Sequence, residues 1–161
     1  MLEFLIWLEG SALGASLRSS GVWTYAFLNL GHIVGVSSLI GSVLILDLRL
    51  LGAWRRLRLG SVSTLTVPVA AGGFVIASIS GFLMLSFNAS EYYENPFLLV
   101  KFPAIALGLI NVAVVSRLRP WRERAERELL SAERRQLAVA GGLSLVCWVT
   151  ALAAGRMIGY Y

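Results

Sequence analysis

The sequence predicts an all-α integral membrane protein built as a four-helix bundle. Three observations support this prediction: a very apolar composition, four apolar stretches of membrane-spanning length, and arginine-rich connections between them. Apolar residues make up 57% of the 161 residues and charged residues only 14%, against roughly 45–50% and about 25% in soluble domains. A small soluble domain has a high surface-to-volume ratio and cannot bury so much apolar surface. We therefore expect lipid to be the solvent for much of the chain.

Four stretches are long enough to cross a bilayer, which takes about 20 apolar residues. They are predicted at residues 22–46, 62–87, 96–116 and 137–155. Residues 1–21 are too short and too interrupted by glycine to span, and they are predicted to form a short helix at the outer membrane interface. The chain 1–161 is thus expected to form a single membrane domain.

The basic residues predict the orientation. Of the 14 basic residues, four lie in the first connection (47–60) and seven in the third (117–136). The second connection (88–95) carries Glu91 and Glu94 and no basic residue. Because basic connections stay in the cytoplasm, both termini and the second connection are expected outside. This topology and anionic lipid headgroups explain the net charge of +5 without nucleic acid as a partner.

The third connection contains a stretch of mixed charge that is expected to continue as a helix. This stretch runs from Trp121 to Gln136. Glu123 and Arg127 lie four residues apart in the order that favours an ion pair on a helix surface.

Small residues predict how the helices pack. Gly31 and Gly35 form a GxxxG pair in the first stretch, and Gly73, Ala77 and Gly81 repeat this spacing in the second. Lipid gives no hydrophobic driving force between helices, so the close backbone approach that small residues allow matters more. Packing within the bundle and homodimerisation through Gly31 and Gly35 both remain open.

His32 is the only histidine of the chain and lies inside the first stretch. Tyr25 and Asn29 precede it on the same helical face. Since polar groups are costly in lipid, His32 is expected to have a partner or a purpose. One hypothesis is a ligand to haem b or to a metal ion, because neutral imidazole is the commonest metal ligand. The alternative is a hydrogen bond to another helix. The single histidine excludes a bis-histidine haem within one chain.

Lys101 and Met84 are predicted to lie in the same outer half of the membrane as His32. Lys101 is about five residues inside the third stretch, or ~7–8 Å deep. Its ammonium group is expected either to reach the outer interface or to stay in the bundle. There it would pair with Glu91 or Glu94, act as a second ligand, or contact a haem propionate. Met84 is a candidate metal ligand beside His32, or a packing residue.

Asp47 and Arg49 are predicted to be structural anchors at the inner end of the first stretch. Asp47 is expected to pair with Arg49 or with a neighbouring arginine. Asn111, deep in the third stretch, is expected to form a hydrogen bond across helices. The only cysteine, Cys147, excludes an intramolecular disulfide, and the sequence contains no HExxH, CxxC or glycine-rich phosphate motif.

These residues belong to a longer pattern that resembles a known family. The pattern consists of His32-Ile-Val-Gly35, Gly41, Asp47-Leu-Arg-Leu-Leu-Gly52, Gly81-Phe82, Asn95-Pro96-Phe97, Lys101 and Asn111. Across nearly the whole chain it resembles an uncharacterised family of small bacterial four-helix membrane proteins, which implies a multi-pass protein of the bacterial inner membrane.

Two more distant resemblances imply ligands. The chain is similar to the CopD-type copper-resistance membrane domain through Lys101, Asn111, Arg117 or Arg119, and Pro120. It is also similar to HemJ-type haem-binding protoporphyrinogen oxidases through His32 and Lys101. The first resemblance implies copper and the second implies haem.

Three hypotheses for the function remain open, and the sequence does not decide whether the protein is an enzyme. The first is a protein that binds haem b or copper at an outward-facing site around His32 and Lys101. The second is an accessory subunit that packs into a larger membrane complex. The third is a transporter for a small solute or a metal ion, acting as an oligomer. The partners expected are membrane lipid and either a second copy or another membrane protein.

Overall fold

Helices make up nearly all of the chain that the structure describes. The computed structural model describes residues 2–87, 89 and 95–160, and no strand occurs among them. The helices are α1 (Leu2–Gly10), α2 (Ala12–Ser19), α3 (Val22–Leu51), α4 (Leu59–Leu85), α5 (Pro96–Arg117), α6 (Arg119–Arg122) and α7 (Ser131–Met157), followed by a short 3-10 turn at Ile158–Tyr160.

Four of these helices are long and apolar enough to cross a membrane: α3, α4, α5, and α7 with its terminal turn. Only 17–39% of the most apolar window of each helix is buried within the protein. Most of their apolar side chains therefore point outward, an arrangement typical of helices whose solvent is lipid. The all-helical prediction and the number of long apolar helices are confirmed for the described residues.

Two of the long helices continue well beyond the apolar stretches that predicted them. α3 ends at Leu51 and α7 begins at Ser131, because a helix continues through polar residues until its backbone is stopped. The stop at the end of α3 is Gly52, whose φ of 112° lies in the left-handed region. The Gly52 N–H donates to the Arg49 carbonyl at 3.2 Å, and the Ala53 N–H donates to the Leu48 carbonyl at 2.9 Å. This pair of hydrogen bonds is a Schellman motif.

The third connection is not the continuous helix that its composition predicts. After the short α6, residues 123–130 form turns and irregular backbone before α7 begins. The predicted ion pair nevertheless forms across these turns: Arg127 contacts Glu123 at 2.6 Å and Glu133 at 2.6 Å. Arg119 adds a third contact to Glu123, at 2.7 Å. These ion pairs stabilise a bend, whereas helix propensity alone predicted a straight segment.

The chain forms two compact units. The first unit contains Met1–Leu39 and Ala71–Pro96, and the second contains Ile40–Ala70 and Phe97–Tyr161. In the first unit, α3 and α4 cross so closely that only glycine fits. A Cβ on Gly73 would lie 2.6 Å from both the Gly35 carbonyl oxygen and the Leu39 nitrogen. Gly31 faces open space, so it takes no part in this crossing.

The N-terminal segment also belongs to the first unit. It forms two short helices instead of the single one predicted. Leu8 of α1 is 2% exposed and packs with Ala89 and Leu85. A Cβ on Gly14 would lie 2.8 Å from the Ser86 carbonyl oxygen. The Arg18 guanidinium donates to the carbonyls of Glu9 at 2.8 Å and Phe87 at 3.1 Å. α2 is therefore fixed to the end of α4.

The second unit has its own apolar core. Leu59, Val115 and Leu137 are buried together, and Trp121 packs against them. In the same unit, Gly108 of α5 packs against the indole ring of Trp148 on α7. A Cβ on Gly108 would lie only 3.2 Å from the nearest atom of that ring. Glycine on α5 thus makes room for the largest buried side chain of α7.

Candidate functional site

His32 sits at the crossing of α3 and α4 in the first unit. Its ring is half-buried, and its Nδ1 lies 3.0 Å from the Ala77 carbonyl oxygen and 3.1 Å from the Ser80 hydroxyl oxygen. Both partners are on α4. The imidazole therefore joins two helices, and the polar side chain that the sequence placed inside lipid has partners on the neighbouring helix.

The partners of Nδ1 decide which ring nitrogen carries the proton. A carbonyl oxygen can only accept a hydrogen bond. The Ser80 hydroxyl donates to the Ile76 carbonyl at 2.6 Å, so its oxygen is left as an acceptor for His32. Nδ1 is therefore assigned as the N–H donor, and in the neutral imidazole Nε2 carries the lone pair. An Nδ1–H bonded to a backbone carbonyl is the arrangement that orients histidine as an Nε2 metal ligand.

Gly81 makes the space for this ring. A Cβ on Gly81 would lie 3.0 Å from Cε1 and 3.4 Å from Nδ1 of His32. The sequence predicted that Gly81, together with Gly73 and Ala77, forms a stripe of small residues for helix packing. The structure gives it a narrower role, since the atoms nearest to it belong to the histidine side chain.

Tyr25, Asn29 and Met84 lie on the turns next to His32. α3 and α4 run antiparallel with a regular register, in which Leu39 meets Gly73 and Gly35 meets Ala77. At the far end Tyr25 meets Phe87, with ring centroids 5.2 Å apart and an edge-to-face angle of 82°. This places Asn29 on α3 and Met84 on α4 between the His32 level and the Tyr25 level. Both are half-buried.

Lys101 belongs to the second unit. It is half-buried on α5, and its Nζ lies 3.5 Å from the position that a Cβ on Gly155 of α7 would occupy. The alkyl chain thus packs on a glycine surface of the neighbouring helix. The predicted pairing with Glu91 or Glu94 lies outside the described residues. The shared site of Lys101 and His32 stays a prediction.

The donor set limits what His32 could bind. The described residues hold no group of three or more His, Cys, Asp and Glu side chains that could surround a metal ion. A ligand at His32 would therefore bring most of its own coordination, as haem does, or accept a low coordination number from soft donors, as Cu(I) does. Nε2 of His32 is an imidazole donor, which suits haem iron and copper, and the thioether of Met84 is a soft donor, which suits Cu(I).

The predicted anchors near the C-terminal end of α3 have other partners than expected. Asp47 is 3% exposed, and the Ser144 side chain of α7 lies against its carboxyl group. Arg49 points elsewhere, with its Nε donating to the Leu57 carbonyl at 2.9 Å. The ion pair predicted between Asp47 and Arg49 is therefore absent from the described residues. Residues two positions apart on a helix, as Asp47 and Arg49 are, do not face each other.

Asn111 forms the cross-helix hydrogen bond expected of it. Its Nδ2 donates to the Ala140 carbonyl of α7 at 3.0 Å.

Sequence reasoning missed two partners of the candidate site residues, namely Ser80 beside His32 and Ser144 beside Asp47. Ser80 immediately precedes Gly81 in the small-residue stripe of α4, and Ser144 follows Gly141 by one turn of α7. Serine next to a helix-packing glycine was the signal that could have found both.

Comparison with known proteins places the chain in one family. No curated protein and no solved structure matches it. One family model does match, over residues 4–161, and its description is "Family of unknown function (DUF6644)". That match covers α1 to α7 and includes His32, Asp47 and Lys101. It accords with the resemblance to an uncharacterised family, and the chain belongs to the DUF6644 family.

Proposed function

We propose that this DUF6644 protein is a multi-pass protein of the bacterial inner membrane with both termini outside. The four long apolar helices support insertion. The orientation rests on the arginines, which concentrate in the first and third connections. In cells whose protein carries Cys147→Ser, an impermeant maleimide should label Ser20→Cys and leave Ser131→Cys unlabelled. The reverse pattern would contradict the orientation.

We further propose that the protein binds a haem or a copper ion through Nε2 of His32. The observation that carries this proposal is the bond from Nδ1–H to the Ala77 carbonyl. It leaves Nε2 as the basic nitrogen and fixes the plane of the ring between two helices.

The neighbouring residues fit such a ligand. Met84 lies on the adjoining turns and offers a thioether, which haem iron accepts in His/Met sites and which Cu(I) prefers. Tyr25 and Asn29 add a hydroxyl and an amide on the same face of α3. Haem would supply one-electron chemistry and copper would supply metal storage, redox chemistry or transfer. The protein residues would orient the ligand and limit its exposure to water.

Lys101, in the second unit, is the residue that the sequence suggests for an anionic group. Its ammonium group would neutralise a haem propionate or another anionic group. Its position against Gly155 gives the side chain a defined path along α7.

The test is an absorption spectrum with metal analysis of detergent-purified protein, after haem and copper have been supplied separately. A Soret band, or one copper per chain without a Soret band, should be present in the wild type and absent in His32→Ala. Ser86→Ala is a matched control, because Ser86 also bonds to a carbonyl of α4, at 2.9 Å, but does not contact His32. Folded wild-type protein that retains neither ligand would refute the proposal and leave His32 as an interhelical hydrogen-bonding residue.

A further inference from the structure

Asp47 is a buried carboxylate whose hydrogen bonding is incomplete. It lies in the second unit, near the end of α3, and is 3% exposed. The Ser144 side chain lies against the carboxyl group, but Oδ2 has no hydrogen-bond partner among the described residues. A buried carboxylate normally has a partner for each oxygen, because burying a charged oxygen without a hydrogen bond is unfavourable.

No basic side chain neutralises this carboxylate within the described part of the chain. Arg49 is two residues away, but its guanidinium bonds to the Leu57 carbonyl. Arg134, at the start of α7, forms none of the ion pairs of the second unit, which all lie between Arg119 and Glu133. The other titratable side chain on the facing part of α7 is Cys147, which is buried. A negative charge on Asp47 would therefore have no neutralising side chain among the described residues.

The surroundings of Asp47 supply further oxygen atoms. α7 approaches α3 closely at Gly141, where a Cβ would lie 3.3 Å from the Asp47 carbonyl oxygen. One turn later Ser144 places its hydroxyl at the carboxyl group. Asn111 of α5 is fixed to the same turn of α7, since its Nδ2 donates to the Ala140 carbonyl at 3.0 Å. That bond uses its N–H and leaves its amide oxygen as an acceptor.

We propose that Asp47, with Ser144 and Asn111, forms a buried binding site for one small monovalent cation, either a proton or Na⁺. Oxygen ligands from a carboxylate, a hydroxyl and an amide suit hard, compact cations. One carboxylate neutralises one positive charge. A divalent ion would retain an excess charge in a low-dielectric interior, where unpaired charge is costly. The site is separate from His32 and does not depend on the proposed haem or copper ligand.

The first test measures whether Na⁺ stabilises the full-length protein in detergent. Its melting temperature is followed while NaCl replaces choline chloride at constant ionic strength. Bound Na⁺ should raise the melting temperature in proportion to the logarithm of its concentration. The rise should disappear in Asp47→Asn, and Ser144→Ala should need roughly tenfold more Na⁺ for the same rise, about the value of one hydrogen bond to a charged group.

Thr66→Val is the matched control for the loss of a buried hydroxyl. Thr66 is also buried in the second unit, but its hydroxyl bonds within its own helix, to the Val62 carbonyl at 2.9 Å. This variant should respond to Na⁺ as the wild type does. Asparagine has nearly the shape of aspartate, so Asp47→Asn tests the charge with little change in packing.

The second test distinguishes the proton from Na⁺. Infrared spectra at neutral pH should show the carbonyl stretch of a protonated carboxylic acid in the wild type if the occupant is a proton. That band should be missing in Asp47→Asn and present in Thr66→Val. A Na⁺ response without the band identifies Na⁺, and the band without a Na⁺ response identifies the proton. If the wild type shows neither a Na⁺ response nor a carboxylic acid band that depends on Asp47, the proposal is wrong.

Discussion

The space that Gly81 leaves for His32 gives a quantitative test of the candidate site. In Gly81→Ala the new methyl group would meet Cε1 of the ring at 3.0 Å. Carbon atoms in ordinary contact are about 3.5–4.0 Å apart, so the ring must retreat by roughly half an ångström. Because the Nδ1 bond to the Ala77 carbonyl already measures 3.0 Å, such a movement stretches it to the limit of about 3.5 Å beyond which it is no longer a hydrogen bond.

Two opposing effects decide the stability of this variant. Loss of the Nδ1 hydrogen bond costs about 1 kcal/mol, and up to about 3 kcal/mol if the buried N–H finds no other partner. Alanine in a helix interior gains about 0.8–1.0 kcal/mol over glycine. We expect Gly81→Ala to lie between no change and a loss of about 2 kcal/mol, with loss of any haem or copper signal, because Nε2 moves with the ring.

Gly72→Ala is the control for this experiment. Gly72 lies on the same helix, but a Cβ there would meet nothing within 4 Å. It should therefore show only the gain in helix propensity, about 1 kcal/mol. Thermal unfolding in detergent and the ligand spectrum are compared for both variants. If Gly81→Ala is as stable as Gly72→Ala and keeps its ligand, the argument that the glycine positions His32 is refuted.

Two further predictions concern other contacts. Gly73→Ala should destabilise the first unit by about 1–3 kcal/mol, as overpacking does, because its Cβ would lie 2.6 Å from backbone atoms of α3. Gly31→Ala should cause no such loss, since a Cβ there would meet nothing within 4 Å. Equal melting temperatures for the two variants would contradict this prediction. Hydrogen bonds from Arg127 and Arg119 lower the pKa of the Glu123 carboxyl. Its stabilising effect is therefore complete above the usual glutamate pKa and is lost as pH falls through the lowered value. Glu123→Gln should unfold at a lower temperature than wild type at neutral pH, and the difference should vanish in acid; a difference independent of pH would exclude this ion-pair network as its cause.

The sequence predicted the long helices better than it predicted their ends. Composition and apolar length identify the part of a helix that lipid can solvate, and these features were sufficient for the four long helices. They do not report where a backbone stops, so α3 was predicted to end at Leu46 although it continues to the Schellman motif at Gly52. The break after α6 was missed for a related reason. Arginine and glutamate are good helix formers, and only the three-dimensional ion pairs of Arg127 favour the bend.

The candidate site was predicted in part, for reasons that concern partner atoms. His32 could be identified because a polar side chain in an apolar stretch is costly. Its main partner, the Ala77 carbonyl, is a backbone atom and has no signature in the sequence. Asp47 was noticed for the same reason as His32, and either Arg49 or a neighbouring arginine was expected to pair with it. The described ion pairs include neither of these pairings, because the register of α3 against α7 places Ser144 beside Asp47 instead.

The order in which these partners appear along the chain has a consequence for biosynthesis. The contacts that the His32 ring makes with Ala77, Ser80 and Gly81 all lie on the helix that follows its own. Ser144, which lies against Asp47, is on α7, the last of the long helices. A nascent chain can therefore form these contacts of His32 as soon as α4 has been synthesised. Asp47, although made earlier than α4, must wait until nearly all of the protein has been synthesised. During that interval Asp47 lacks the α7 residues that bury it, and the interval ends only after Ser144 has been synthesised.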